Sequence, residues 1–193
     1  MRIHGSKILQ RRTDIKAKKN YQRYRPELQE DFCHICGYCG KHELVSHDGM
    51  RIDHFVPQSV DPGRITDYQN LVYACFRCNS KKYEHWPTND KNIPNNGNAG
   101  FVDPTDVTYD THLGRGVDGS IEYYTEVGKF MFEKAFRFDI RPTAQIWKAS
   151  QMYELLDALD KNLEKKPKSE RDRYIKVSLE FRQLNKFLFE WKE

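Results

Sequence analysis

No stretch of the chain reaches the about 18 consecutive apolar residues that a membrane-spanning helix needs. Met1-Arg2-Ile3-His4 opens without the apolar run of a secretory signal, so the expectation is a cytoplasmic protein with no membrane partner. Cysteine is scarce. All five lie between positions 33 and 78, which excludes the spread, even-numbered framework of a secreted disulfide scaffold. Neither charge sign is in large excess, since the net charge of +4 is too small to diagnose a partner. No internal repeat is visible. What is present is enough to pack: 193 residues with 38% hydrophobic and 13% aromatic side chains exclude wholesale disorder and favour one domain with an appendage.

The charge is uneven. Residues 1–30 carry nine Lys or Arg against three acids, so this segment is +6 and the remainder −2. Arg11, Arg12, Lys16, Lys18 and Lys19 crowd its middle. A basic N-terminal arm suits a polyanion, because every phosphate neutralised releases condensed counterions. The same count fits an ordinary solvated tail.

The cysteines give the first specific signal. Cys36-Gly37-Tyr38-Cys39 and Cys75-Phe76-Arg77-Cys78 are two CxxC pairs. Each short turn presents two thiolates to one ion, and two such turns close a tetrahedral shell, which predicts a structural Zn²⁺ held by Cys36, Cys39, Cys75 and Cys78. Gly37 and Gly40 free the backbone around the first turn. Cys33 begins a third CxxC without those glycines and is expected to be a spare buried thiol. A four-thiolate shell has no open position for water, so any chemistry must lie between the turns.

There the chain reads Met50-Arg51-Ile52-Asp53-His54-Phe55-Val56-Pro57-Gln58-Ser59, a short strand ended by Pro57. A turn at Asp61-Pro62-Gly63 follows, then a second short strand over residues 67–74 running into Cys75, and helical character from Cys78 to Pro87. Taken singly, His54 reads as a core histidine, Asp53 as a turn acid and Asn79 as a helix cap.

The combined pattern CGYCG, IDHFVPQS and QNLVYACFRCNSKK over residues 36–82 resembles the HNH endonucleases, the zinc-knuckle branch of the ββα-metal (His-Me finger) nucleases. Residues 101–128 are similar to the segment that follows the nuclease core in some stand-alone bacterial HNH proteins. The resemblance implies an α+β fold: a ββα-metal core at 31–100, after the basic arm at 1–30, and a mostly helical extension at 101–193. It implies hydrolysis of DNA phosphodiester bonds, with His54 as general base and Asn70 positioning it. Asp53 and Asn79 match ligands of a catalytic Mg²⁺ or Mn²⁺, an oxygen-donor pair suited to those ions. Lys81 and Lys82 would hold phosphate by charge, and His85 falls near a position where some relatives place an extra ligand. His34, His42, His47 and His112 match no role. Relatives with this layout often sit beside an ATPase in anti-phage defence systems, which implies a protein partner. The competing reading is a non-catalytic zinc-knuckle subunit that binds nucleic acid within a larger assembly.

Residues 88–100 are rich in Asn, Gly and Pro and predict an exposed loop. Beyond it, Val127, Phe130, Met131 and Ala135 mark a helix. Two longer amphipathic helices follow, one carrying Ile146, Met152, Leu155, Leu156, Leu159 and Leu163, the other Val177, Phe181, Leu184, Leu188 and Trp191. Ser169 with Asp172 predicts a capping pair at the start of the second. Phe187, Phe189 and Tyr174 lie off its seam, so this tail is expected to self-associate or to dock on a partner such as an ATPase.

Overall fold

The computed structural model describes residues 1–161 and 163–191; residues 162, 192 and 193 of the expected extension lie outside the described part. The fold is α+β. Strand β1 (Met50–His54) pairs antiparallel with β2 (Leu71–Cys75), setting Asp53 opposite Val72 and His54 opposite Leu71. Every residue of β2 is buried, as its unbroken Leu-Val-Tyr-Ala-Cys run requires of a strand covered on both faces. Helix α1 (Arg25–Asp31) precedes this sheet, and α2 (Phe76–Lys82) leaves β2 directly through Cys75, whose extended backbone serves as the N-cap. In the connection between β1 and β2, the side chains of Asp61 and Asp67 accept hydrogen bonds from the Gly63 and Gln69 amides and fix two short 3₁₀ turns.

The N-terminal segment is not an arm. Ile3, Leu9, Tyr24, Leu28 and Phe32 are buried in the same core as β1 and β2. Burying an aliphatic or aromatic side chain is worth about 1.5–3 kcal/mol, so five of them outweigh the cost of folding a cationic segment inward. The expected loop at 88–100 is largely exposed but ends on a fixed point. Gly100, at φ +125°, lies so close to Pro94 that a Cβ would fall 2.3 Å from its carbonyl oxygen, and the next residue, Phe101, is fully buried.

After α3 (Tyr109–His112), strands β3 (Leu113–Arg115) and β4 (Ile121–Tyr123) form a second antiparallel pair. Helix α4 (Glu126–Phe130), capped by the Thr125 hydroxyl, continues into one π-helical turn over Met131–Ala135. Helices α5 (Thr143–Asp160) and α6 (Lys168–Glu190) are the two long helices of the sequence pattern, and they pack against each other; Leu163, expected on the first, lies beyond its end. The capping pair does not form. Pro167 occupies the N-cap, which places Ser169 and Asp172 inside the helix, past the position that caps the first amides.

The hairpin is not a detached tail. Val45 is buried with Ile146, Ala149 and Leu188, and the Ser150 hydroxyl accepts a 3.0 Å hydrogen bond from the His42 amide. At the far end of α6, Arg77 of α2 lies 4.5 Å over the Trp191 ring, and His47 meets Phe189 edge-on.

Candidate active site and metal centre

Cys36, Cys39, Cys75 and Cys78 are buried, and their sulfurs all lie within 4.8 Å of one another. The Cys39 and Cys75 sulfurs are 3.8 Å apart. That is the edge of a tetrahedron with bonds of about 2.3 Å, the Zn–S length, whereas a disulfide would need about 2.05 Å. The four residues therefore fit a structural zinc ion. Cys33 stands outside the cluster, with its thiol directed at the Ile8 carbonyl at 3.7 Å, and it is half-buried rather than buried as expected.

Arg141, from the segment before α5, reaches this cluster. Its Nη1 lies 3.2 Å from the Cys78 sulfur, and Nη2 lies 4.0 Å from those of Cys39 and Cys75. Burial disfavours the charged guanidinium, but the charges on Cys78, Cys39 and Cys75 more than offset this and hold its pKa above the ordinary arginine value. Another residue outside the cysteine turns, His4, bonds the Gly37 carbonyl at 2.6 Å within the first turn.

About 270 Å³ of cleft opens between the end of β1 and α2, lined by Tyr21, Asp53, His54, Gln58, Asn79, Tyr83 and Glu84 among others. The structure thus brings Asp53, His54 and Asn79 to one cavity. His54 Nε2 lies 2.9 Å from the Ile65 carbonyl oxygen, which can only accept, so Nε2 carries the proton and Nδ1 keeps its lone pair. Burial lowers the His54 pKa below the ordinary imidazole value, against the opposing pull of the Ile65 carbonyl and Asp53. The ring is neutral at pH 7. Gln58 Nε2 donates to Nδ1 at 3.0 Å.

Asp53 points to the other side of the strand, as alternation demands, and still reaches the cavity because the strand ends there. Its Oδ2 accepts from the Tyr38 hydroxyl at 2.5 Å and pairs with Lys82 at 3.1 Å. Burial, with the Asp53 charge adding to it, pushes the Tyr38 phenol well up, so it stays a donor. Asp53 Oδ1 has no hydrogen-bond partner among the described residues. Asn79 and Glu84 line the same cavity, and oxygen donors of this kind are those that a hard divalent cation such as Mg²⁺ or Mn²⁺ takes. Asn70 is fully buried outside the cavity: Oδ1 accepts from the Val56 amide at 2.9 Å and Nδ2 donates to the Val56 carbonyl at 3.0 Å. It clamps the chain two residues beyond His54.

Several sequence expectations need correction. Lys82 is fully buried, donating to the His54 carbonyl at 2.8 Å as well as pairing with Asp53, so no phosphate reaches it. Arg11 is buried against Asp103 and the Leu71 carbonyl, which takes it away from any phosphate, whereas Arg12, exposed and paired with Glu30 and Asp31, and Lys18, half-buried and paired with Glu27, are engaged by acids at the surface. Lys16 and Lys19 are exposed, and Lys81 is half-buried on α2. Helix α2 ends at Lys82 rather than near Pro87, because Tyr83 adopts φ +42°, ψ −124°, the first central position of a type II′ turn that glycine ordinarily fills. His85 consequently lies exposed in the turn after the helix, outside the cavity lining.

Sequence reasoning missed Tyr21, Gln58, Tyr83 and Glu84 in the lining. Tyr21 sat in a segment read for charge alone, and its ring stands edge-on to His54 at 4.7 Å between centroids. Gln58 had a signal in its position four residues after His54. The Tyr83 turn had none, since a bulky residue at positive φ costs of order 1–3 kcal/mol and is not anticipated from type.

Comparison with known proteins defines the class first. Residues 36–85 match the family model described as HNH endonuclease, the stretch that holds the four cysteines, Asp53, His54, Asn70 and Asn79. Over 50 residues the chain is 34% identical to the Septu protein PtuB of Bacillus thuringiensis, a stretch that makes up 26% of this chain and 20% of that protein. The chain thus spans about a fifth of the length of the curated relative it matches. No solved structure matches. Tyr21 and Arg141 lie outside the matched stretch.

Proposed function

We propose that the chain is a divalent-metal-dependent endonuclease that hydrolyses DNA phosphodiester bonds, with His54 as general base and Asp53 and Asn79 as metal ligands. The observation that carries this reading is the 2.9 Å bond from His54 Nε2 to the Ile65 carbonyl, which leaves a basic Nδ1 in the cleft that also holds Asp53 and Asn79. Gln58 Nε2, 3.0 Å from Nδ1, marks the position from which a water would donate. A water there passes its proton to Nδ1 as its oxygen attacks phosphorus, and the bridging oxygen departs with the electron pair of the broken P–O bond. Bound Mg²⁺ or Mn²⁺ would supply Lewis-acid polarisation of the phosphate and charge for the leaving oxygen. Asn70 positions the base by fixing the backbone at Val56, and Lys82 holds Asp53 in place. Zn²⁺ on the four cysteines is structural.

Likeness to a Septu protein over the matched stretch supports a setting in bacterial anti-phage defence; a cytoplasmic location and a protein partner such as an ATPase complete this reading. No helix among the described residues is long and apolar enough to cross a membrane. The exposed Ile175, Leu179, Phe187 and Phe189 of α6 offer a surface for that partner or for a second copy. Lys16 and Lys19 are exposed and would contact DNA phosphates.

Supercoiled plasmid incubated with the protein and Mg²⁺ or Mn²⁺ should be nicked or linearised, and omission of the added ion, His54→Ala, Asp53→Ala or Asn79→Ala should abolish this, with zinc content staying at one per chain. Cutting by His54→Ala at the parent rate would overturn the assignment. DNA binding without metal-dependent cutting by the parent protein would favour the non-catalytic zinc-knuckle reading.

A further inference from the structure

The wall of the cleft is aromatic where a duplex-binding groove would be cationic. Its lining contains two acids, Asp53 and Glu84, and no lysine or arginine, while two tyrosines, Tyr21 and Tyr83, belong to it. Tyr83 is 69% exposed, and its side chain makes no hydrogen bond and no ring contact among the described residues. It is also held at φ +42°, ψ −124°, a conformation that a tyrosine adopts only under strain. Strain of this kind without a compensating contact is what a ligand contact offsets. The residues that fix it are in place: the Tyr83 amide donates to the Asn79 carbonyl at 2.9 Å, and the following turn closes through the His85 amide on the Lys82 carbonyl at 2.9 Å. The Tyr83 backbone is therefore tied to that of Asn79, the residue proposed to ligate the metal.

We infer that Tyr83 is a stacking platform for an unpaired base next to the scissile phosphate, and that the preferred substrate is a single-stranded or gapped DNA segment rather than an intact duplex. The inference rests on the nuclease reading above and specifies its substrate. An unpaired base presents a π-face that a tyrosine can cover, whereas bases in a duplex are already stacked and present only edges and phosphates. Tyr21, edge-on to His54, adds a second ring to the same cleft. A rigid duplex approaching this aromatic floor would meet no lysine or arginine in the cleft lining. The phosphates of a flexible strand can instead turn outward towards solvent while its bases enter.

The test uses the full-length protein and fluorescein-labelled 20-nucleotide DNA in chelator, as single strand, duplex and duplex with a central gap, followed by anisotropy. A second set carries 2-aminopurine, whose emission is quenched by stacking. Single-stranded and gapped DNA should bind at least tenfold more tightly than duplex. Tyr83→Gly and Tyr83→Asn, both compatible with positive φ, should weaken single-strand binding about tenfold to a hundredfold and relieve 2-aminopurine quenching, with duplex binding changed less than twofold. Tyr83→Phe should bind as the parent does. Duplex preference in the parent, or full single-strand affinity in both ring-deleted variants, would overturn the inference. Metal-dependent plasmid cutting combined with that result leaves the nuclease reading standing. Ring-dependent single-strand binding without any metal-dependent cutting would overturn the nuclease reading and leave the stacking site.

Discussion

Arg141 Nη1 lies 3.2 Å from the sulfur of Cys78, and this contact ties the segment before α5 to the metal-binding turn that opens α2. A zinc ion with four thiolates carries a net charge of −2, and burying it without compensation is costly. The fully buried guanidinium halves that charge and contacts three of the four sulfurs at 4.0 Å or less. Residues that orient metal ligands typically contribute 10- to 100-fold to affinity. Arg141→Met should therefore lower zinc affinity by about that factor in chelator competition. Cys75→Ser should lose the metal and unfold, while Cys33→Ser should keep it. Parent-like zinc affinity in Arg141→Met would remove any role for the guanidinium in holding the ion.

Lys82 and Asp53 form a buried ion pair at 3.1 Å, closed by the Tyr38 hydroxyl and the His54 carbonyl. Breaking a buried pair on one side leaves an uncompensated charge and costs about 3–5 kcal/mol. Lys82→Met should lose about that much stability in urea titration and cleave poorly, because Asp53 and the His54 backbone lose a shared anchor. A variant as stable as the parent would show that the ammonium contributes no net stability.

Since burial lowers the His54 pKa, its neutral form persists below the ordinary imidazole range of about 6.5. The acid limb of the cleavage rate should fall below pH 6.5, with the rate rising as pH increases through that limb and flat near pH 7. A limb centred above pH 7 would argue against His54 as the group being titrated.

The His4 pKa is lowered from 6.5 to about 4, mainly by burial, with the Gly37 carbonyl opposing. The unfolded chain binds this proton first as pH falls, so the neutral folded form loses stability progressively between pH 6.5 and about 4. The loss is about 3 kcal/mol at 1.36 kcal/mol per pH unit. His4→Gln should flatten the pH dependence of the urea midpoint over that window. An unchanged slope would exclude His4 as its source.

Deleting residues from 142 onward should lower the thermal midpoint of the remaining chain by more than 10 °C rather than leave an intact core. Val45 would lose Ile146, Ala149 and Leu188, and the His42 amide would lose the Ser150 hydroxyl. Unfolding followed by circular dichroism checks this. An unchanged midpoint would mean that the helical hairpin only decorates the core.

The sequence by itself determined the features that depend on short spacing. Two CxxC turns commit four thiolates to one point because each turn is only four residues long. That Asp53, His54 and Asn79 share one cleft was implied only by the resemblance of the whole motif, since adjacent residues on a strand point to opposite faces. Apolar periodicity marked two long helices near the C-terminus, which the structure contains as α5 and α6. Only the tertiary structure decided which partners are drawn from far along the chain. Arg141 joins the cluster from 63 residues beyond Cys78, and Arg11 meets Asp103 across 92 residues. A string of cations reads as a surface arm until burial of Ile3, Leu9 and Leu28 folds its neighbours inward and acids pair with them. The same is true of Lys82, whose position beside Lys81 suggests a phosphate contact but whose side of the helix faces Asp53. Pairing over such distances depends on which surfaces the whole core buries, and no local pattern encodes that.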